Sequence, residues 1–203
     1  MSLFDRRRLL TGASARSSAA QHTFAPPLSG RELMRARYFP NVALIAHDGR
    51  RVRFYDDLLR DKIVVLNLMY ADCEGVCPAI TANLVKAQKL LQPRLKVDLF
   101  IYSLTVNPEV DTPAKLKAYA EMHGTGPNWL FLTGAPDDVE LLRRTLGFVD
   151  LDPAVDKDKS RHSGVIRYGN EPLSLWGACP GNTTPEWMIT EISAVIPHDA
   201  FKG

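Results

Sequence analysis

The sequence predicts a three-layer α/β sandwich, with helices on both faces of a central mixed sheet. Three observations carry this. From Phe39 onward, short β-branched runs alternate with segments of helical period. Turn dipeptides, Asp48-Gly49 near the start and Gly169-Asn170 near the end, mark a hairpin on either side of that alternation. Between the first buried strand and the first long helix lies a Cys-x-x-x-Cys pair, Cys73 and Cys77.

The elements follow in order. Residues 1–37 include Pro26-Pro27 and show no clear periodicity, so they are expected to be tail and linker, with one domain over 38–203. Val42 to Ile45 and Arg51 to Phe54 form the N-terminal β-hairpin around Asp48-Gly49. Ile63 to Tyr70 is a short, β-branched buried strand. A helix from about Pro78 to Leu91 places Ile80, Leu84, Ala87 and Leu91 on one face, and Pro93 stops it. Val97 to Leu104 is a strand. Thr112-Pro113 then caps and starts a helix that Gly124 ends after His123. Trp129 to Leu132 is a strand, Pro136 to Leu146 a helix ended by Gly147. Gly164 to Tyr168 and Leu173 to Trp176 flank Gly169-Asn170, and Thr184-Pro185 opens a last helix to about Val195. Trp176 and Trp187 are expected in the core. This order, with a cysteine motif directly after the first buried strand, suits a thioredoxin-like sandwich.

Composition narrows the function classes. At 203 residues with 45% hydrophobic and 24% charged residues, the chain is globular, not wholly disordered. A net charge of +2 gives no case for nucleic-acid binding. No stretch approaches the ~18 apolar residues of a membrane helix, so no transmembrane anchor is expected and the form is read as soluble. The positive charge belongs to the tail, where Arg6, Arg7, Arg8 and Arg16 face only Asp5. Arg6-Arg7 followed by Leu9-Leu10 resembles a twin-arginine export signal, which points to the periplasm. The tail is also Arg- and Ser-rich like a mitochondrial transit peptide, and a basic end without an address, leaving a cytoplasmic protein, is the third alternative.

Cys73 in the loop and Cys77 at the helix start bring two sulfurs to the helix N-terminus, whose N–H groups favour thiolate. Thiolate is both nucleophile and soft-metal ligand, so the pair fits a metal or a disulfide. A soft two-sulfur site gains a third ligand well from imidazole. Of the five histidines, His22 is in the tail, His198 near the C-terminus, His47 at an exposed turn, and His123 at a helix end where the dipole favours its protonated form. His162 ends the charged segment Asp150 to Arg161, read as solvated and mobile, just before a strand. Taken alone it reads as a surface histidine. Cys179 reads as a structural thiol, with a resolving cysteine as the sharper alternative.

Several ordered blocks resemble one family. Tyr70-Ala71-Asp72-Cys73-Glu74-Gly75-Val76-Cys77-Pro78 is similar to the Cys-x-x-x-Cys-Pro site of Sco/SenC proteins. Val106 to Pro113 resembles their Val-Asp-Pro-x-x-Asp-Thr-Pro segment, and Trp129 to Gly134 their Trp-x-Phe-Leu-Thr-Gly stretch. His162 falls where that family has its copper histidine. The resemblance covers roughly residues 39–196 and implies copper, Cu(I) or Cu(II), bound by Cys73, Cys77 and His162. It implies a metallochaperone or assembly factor, not a typical turnover enzyme. Such a factor delivers copper to, or reduces the cysteines of, a partner with a cysteine-rich copper site, as in a respiratory oxidase. A thioredoxin-like reductant is a second partner. Two departures stand out: Asn107 replaces the usual Asp, and Arg161 precedes His162 where Asp is common. A carboxylate there would orient the imidazole; arginine does not. The alternatives are a thiol–disulfide oxidoreductase or thiol peroxidase with Cys73 as nucleophile and Cys77 resolving, and a copper-sensing module.

Overall fold

The structure, a computed structural model, describes residues 29–157 and 164–202. Seven strands among these residues form one mixed sheet in the order β2-β1-β5-β4-β3-β6-β7. The strands are β1 (Ala43–Ala46), β2 (Arg51–Arg53), β3 (Ile63–Met69), β4 (Leu99–Thr105), β5 (Trp129–Gly134), β6 (Val165–Asn170) and β7 (Leu175–Pro180). Strands β3, β4 and β5 are parallel, and each sequence hairpin adds antiparallel strands at one edge.

Central β3 is buried on both faces, which is why its sequence is a near-continuous apolar run and not an alternation. Val65 and Met69 join one core cluster, Val64, Leu66 and Leu68 the other, as the two-residue strand period requires. Its polar member, Asn67, is satisfied: Ser103 Oγ donates to Asn67 Oδ1 at 2.7 Å and accepts from Trp129 Nε1 at 2.9 Å. Helices α2 (Val76–Leu91), α3 (Pro113–His123) and α6 (Pro185–Ser193) cover the first face. The opposite face receives α4 (Pro136–Thr145) and a π-helical turn over Phe54–Leu59. Ile80, Leu84, Ala87 and Leu91 of α2 are buried, as their spacing predicts.

Local chemistry sets the helix ends. Thr112 Oγ1 caps the Lys115 N–H at 3.3 Å, Pro113 occupies the first turn, and Gly124 ends α3 at φ 61°. Thr184 caps α6 in the same way.

Four expectations need correction. Helix α1 (Gly30–Tyr38) lies in the segment read as linker. Ser29 and Glu32 close a capping box on it, a signature its sequence carries, and Arg31 reaches the buried Glu171. The C-terminal hairpin turns at residues 171–174, not at Gly169-Asn170, which end β6. Gly169 has another purpose: a Cβ there would meet the Trp176 ring at 2.1 Å. Of the two late tryptophans, Trp187 is 43% exposed and Trp176 is half-buried. The segment read as solvated from Asp150 onward includes α5 (Pro153–Lys157), where Asp156 pairs with Arg143 at 2.6 Å. The rest of that segment, residues 158–163, lies outside the described residues.

Candidate metal and redox site

Parallel strands β3 and β4 end at the same edge of the sheet, so the loops that follow them lie side by side. Such carboxyl ends are where open α/β sheets place their sites. The loop after β3, residues 70–75, carries Cys73 and leads directly into α2, whose second residue is Cys77. Both sulfurs are buried, and both are free thiols.

The loop after β4 holds the cysteine loop in place. The Val106 N–H donates to the Met69 carbonyl at 2.9 Å. Asp111, fully buried, accepts at Oδ2 from the Ala71 N–H at 3.0 Å and from Thr105 Oγ1 at 2.5 Å. The Thr105 hydroxyl in turn accepts from the Asn107 N–H at 2.9 Å. Lys115, one turn into α3, bridges the two loops: Nζ lies 2.5 Å from Asp72 and 3.6 Å from Asp111. Asp111 is therefore a positioning residue for the cysteine loop. In the sequence Asp111 stands in the Val106–Pro113 segment directly before the capping Thr112, and that position is its only local signal.

The two thiols differ. Burial pushes Cys73 up, but hydrogen bonds from the Cys77 thiol, the Cys77 and Gly75 N–H groups and the Tyr70 side chain outweigh it, so its pKa falls below the ordinary value. Burial, together with donating to the Cys73 sulfur, pushes Cys77 up to about 12. The expectation that the helix N-terminus favours both thiolates is thus met only for Cys73. One sulfur ionises first and the other keeps its proton, because two adjacent anions repel. Losing the second proton requires a cation in its place. A soft metal ion fits such a donor set. Tyr119 Oη lies 3.1 Å from Thr81 Oγ1, and burial raises it to about 12, with the cysteine charges adding to the shift.

No histidine among the described residues joins the pair, and these residues contain no group of three or more metal-ligating side chains. His47 is half-buried, not exposed at its turn: its Nδ1 accepts from the Phe131 N–H at 3.1 Å, and burial lowers its pKa. His123 lies against the Tyr119 ring at 4.3 Å, and burial lowers its pKa too, against the expected dipole-favoured protonation. His198 is exposed. His162, like His22 and the arginines of the tail, lies outside the described residues. Gly164, two residues after His162, sits on α2 near the cysteines: a Cβ there would lie 3.4 Å from Ile80 and 4.0 Å from Val76. Cys179 is buried on β7, raised to about 12 by burial, and not hydrogen-bonded to the pair.

The SCO1/SenC family model matches residues 32–196, from the first turn of α1 to just past α6. The chain belongs to the SCO1/SenC family. The SCO1 protein homolog of Bacillus subtilis (strain 168) is 34% identical over 88 residues, which is 43% of this chain and 44% of that protein, so the match spans less than half of that relative. The SCO1/SenC family lipoprotein of Bacillus anthracis str. Ames superposes with TM-score 0.64 at 25% identity, covering 77% of this chain and 93% of the other. Arabidopsis thaliana ScoI, solved with copper bound, superposes with TM-score 0.61 at 22% identity, covering 76% and 94%. The SCO1/SenC sheet is thioredoxin-like, as the sequence predicts. No helix among the described residues is long and apolar enough to cross a membrane.

Proposed function

We propose that this chain binds copper through Cys73, Cys77 and His162. It passes that copper to a partner with a cysteine-rich copper site, or reduces that partner's cysteines, during assembly of a respiratory oxidase or related copper enzyme. The observation that carries the reading is the hydrogen-bonded sulfur pair at the start of α2, with Cys73 lowered and Cys77 raised. Copper replaces the shared proton and takes both sulfurs as ligands. Gly164, packed against Val76 and Ile80, brings the chain next to His162 back to the cysteine end of α2, which supports the histidine as third ligand. Family membership and the copper-bound plant relative support the metal. Handover to a partner then needs only exchange of one soft sulfur ligand for another.

The test is metal analysis of the reduced protein after copper loading. About one copper per chain is expected, lost in the Cys73→Ser/Cys77→Ser double variant. Undiminished copper in the double variant would refute the site.

The asymmetry of the thiols also favours a second reading, a thiol–disulfide oxidoreductase. The Cys73 thiolate attacks a partner disulfide. The Cys77 thiolate then displaces the reduced partner, so two thiols here become a disulfide while the partner gains two electrons and two protons. A requirement for His162 in copper binding separates the two readings. We place the protein in the periplasm, exported through Arg6-Arg7. Arg6→Lys/Arg7→Lys should retain it in the cytoplasm, and unchanged fractionation would contradict that.

A further inference from the structure

On the face of the sheet away from the cysteines, a groove of about 290 Å³ opens between the end of α1, the end of α4 and the outer strands β6 and β7. Strand register builds its floor. Leu66, Arg167 and Ala178 are direct cross-strand partners and share one face, and Trp176 lies two residues along β7 on that face. The absence of a side chain at Gly169 lets the Trp176 ring lie flat across β6, since a Cβ there would meet it at 2.1 Å. Phe39 packs against the same indole with ring centroids 4.6 Å apart, and Tyr38 and Leu146 close the walls.

One charge enters this apolar space. The Arg167 guanidinium lies 5.2 Å from the Phe148 ring, and Nη2 donates to the Gly147 carbonyl at 2.7 Å. Its Nε is buried and has no hydrogen-bond partner, and no carboxylate among the described residues pairs with it. By contrast the partly buried Arg143 holds Glu140 and Asp156, while Arg35, whose Nε is also buried without a hydrogen-bond partner, lies over the Tyr55 ring and outside the groove. Burial without a counter-charge also draws the Arg167 pKa down. A desolvated cation with a free donor costs free energy unless an anion completes it. An apolar pocket of this size with one convergent polar group matches small-ligand sites.

We propose that this groove binds an apolar monocarboxylate, its carboxylate on Arg167 and its hydrocarbon against Trp176 and Phe39. A guanidinium presents the planar fork that a carboxylate matches. The indole supplies the apolar surface beside it. Nothing in this site touches the cysteines, so it stands or falls independently of the copper reading.

The test is calorimetric titration of the full chain with octanoate, 3-phenylpropanoate and uncharged octanamide, with tryptophan fluorescence as a second readout. One acid should bind at one per chain, and octanamide at least about tenfold more weakly, the loss expected for a charge-assisted contact. The better acid assigns the ligand as aliphatic or aromatic. Arg167→Gln should weaken the acid at least about tenfold and leave octanamide unchanged. Ala178 lines the groove and is exposed, so Ala178→Leu should fill the groove without disturbing the core and abolish binding of all three. No binding of either acid at millimolar concentration would overturn the proposal. So would acid affinity unchanged in Ala178→Leu, or, in a folded Arg167→Gln, unchanged acid affinity.

Discussion

Cys73 and Cys179 are both buried cysteines in the same core cluster, yet their surroundings send them in opposite directions. Cys179 sits within a regular strand, where burial, with the Glu191 charge adding to it, raises its thiol to about 12. Cys73 sits in a loop where the Cys77 thiol and the Cys77 and Gly75 N–H groups turn onto the sulfur, and its thiol falls despite burial. Burial by itself makes a cysteine inert. A loop that ends in a helix N-terminus makes it reactive despite burial. The difference is built by the groups around the sulfur, the Cys77 thiol first, on a loop that Asp111 anchors at Ala71.

Alkylation breaks or sharpens this comparison most sharply. At pH 8, a thiol near 12 holds about a thousandth of the thiolate of one near 9, so Cys179 should stay unlabelled in the folded protein. Cys73 should label below pH 9, because its pKa lies under the ordinary value, and should lose reactivity only as acid protonates it. Iodoacetamide kinetics read by peptide mass spectrometry check this; equal rates at the two positions would contradict it.

A smaller effect should follow from the anchor of the loop. Asp111→Ala leaves the Ala71 N–H and the Thr105 hydroxyl without their shared acceptor and should cost about 2–4 kcal/mol in denaturant unfolding. It should also move Cys73 labelling to higher pH while Cys179 is unaffected. Thr105→Val removes one of the two donors to Asp111 and should cost about 1–2 kcal/mol. Loss of stability without any change at Cys73 would mean that Asp111 supports the fold and not the site.

The same contrast explains what the sequence made legible. Cys73 and Cys77 could be placed because a strand pattern, a helix pattern and the motif between them are all local. The ends of α3 and α4 were legible because Thr112, Pro113, Gly124 and Gly147 act within one turn. Long-range contacts were not legible. Gly169-Asn170 looks like a turn, but its glycine answers to a ring on the neighbouring strand. His47 looks exposed at its turn, but β5 supplies the N–H its ring accepts. Asp111 reads as part of a cap motif, while its partners lie on other elements. The prolines before helix α1 suggest a linker, although Ser29 and Glu32 carry its capping box in the sequence.

The central claim is that the sulfur pair holds copper and His162 completes the site. Cu(I) is soft and accepts two sulfurs, whereas Cu(II) is harder and needs a nitrogen donor. The direct test is a pair of competition titrations, one per oxidation state, on the wild type and His162→Ala. The account predicts that His162→Ala weakens Cu(II) binding at least about tenfold while Cu(I) affinity changes little. Unchanged affinity for both ions would remove His162 from the site and leave the cysteines as a redox pair.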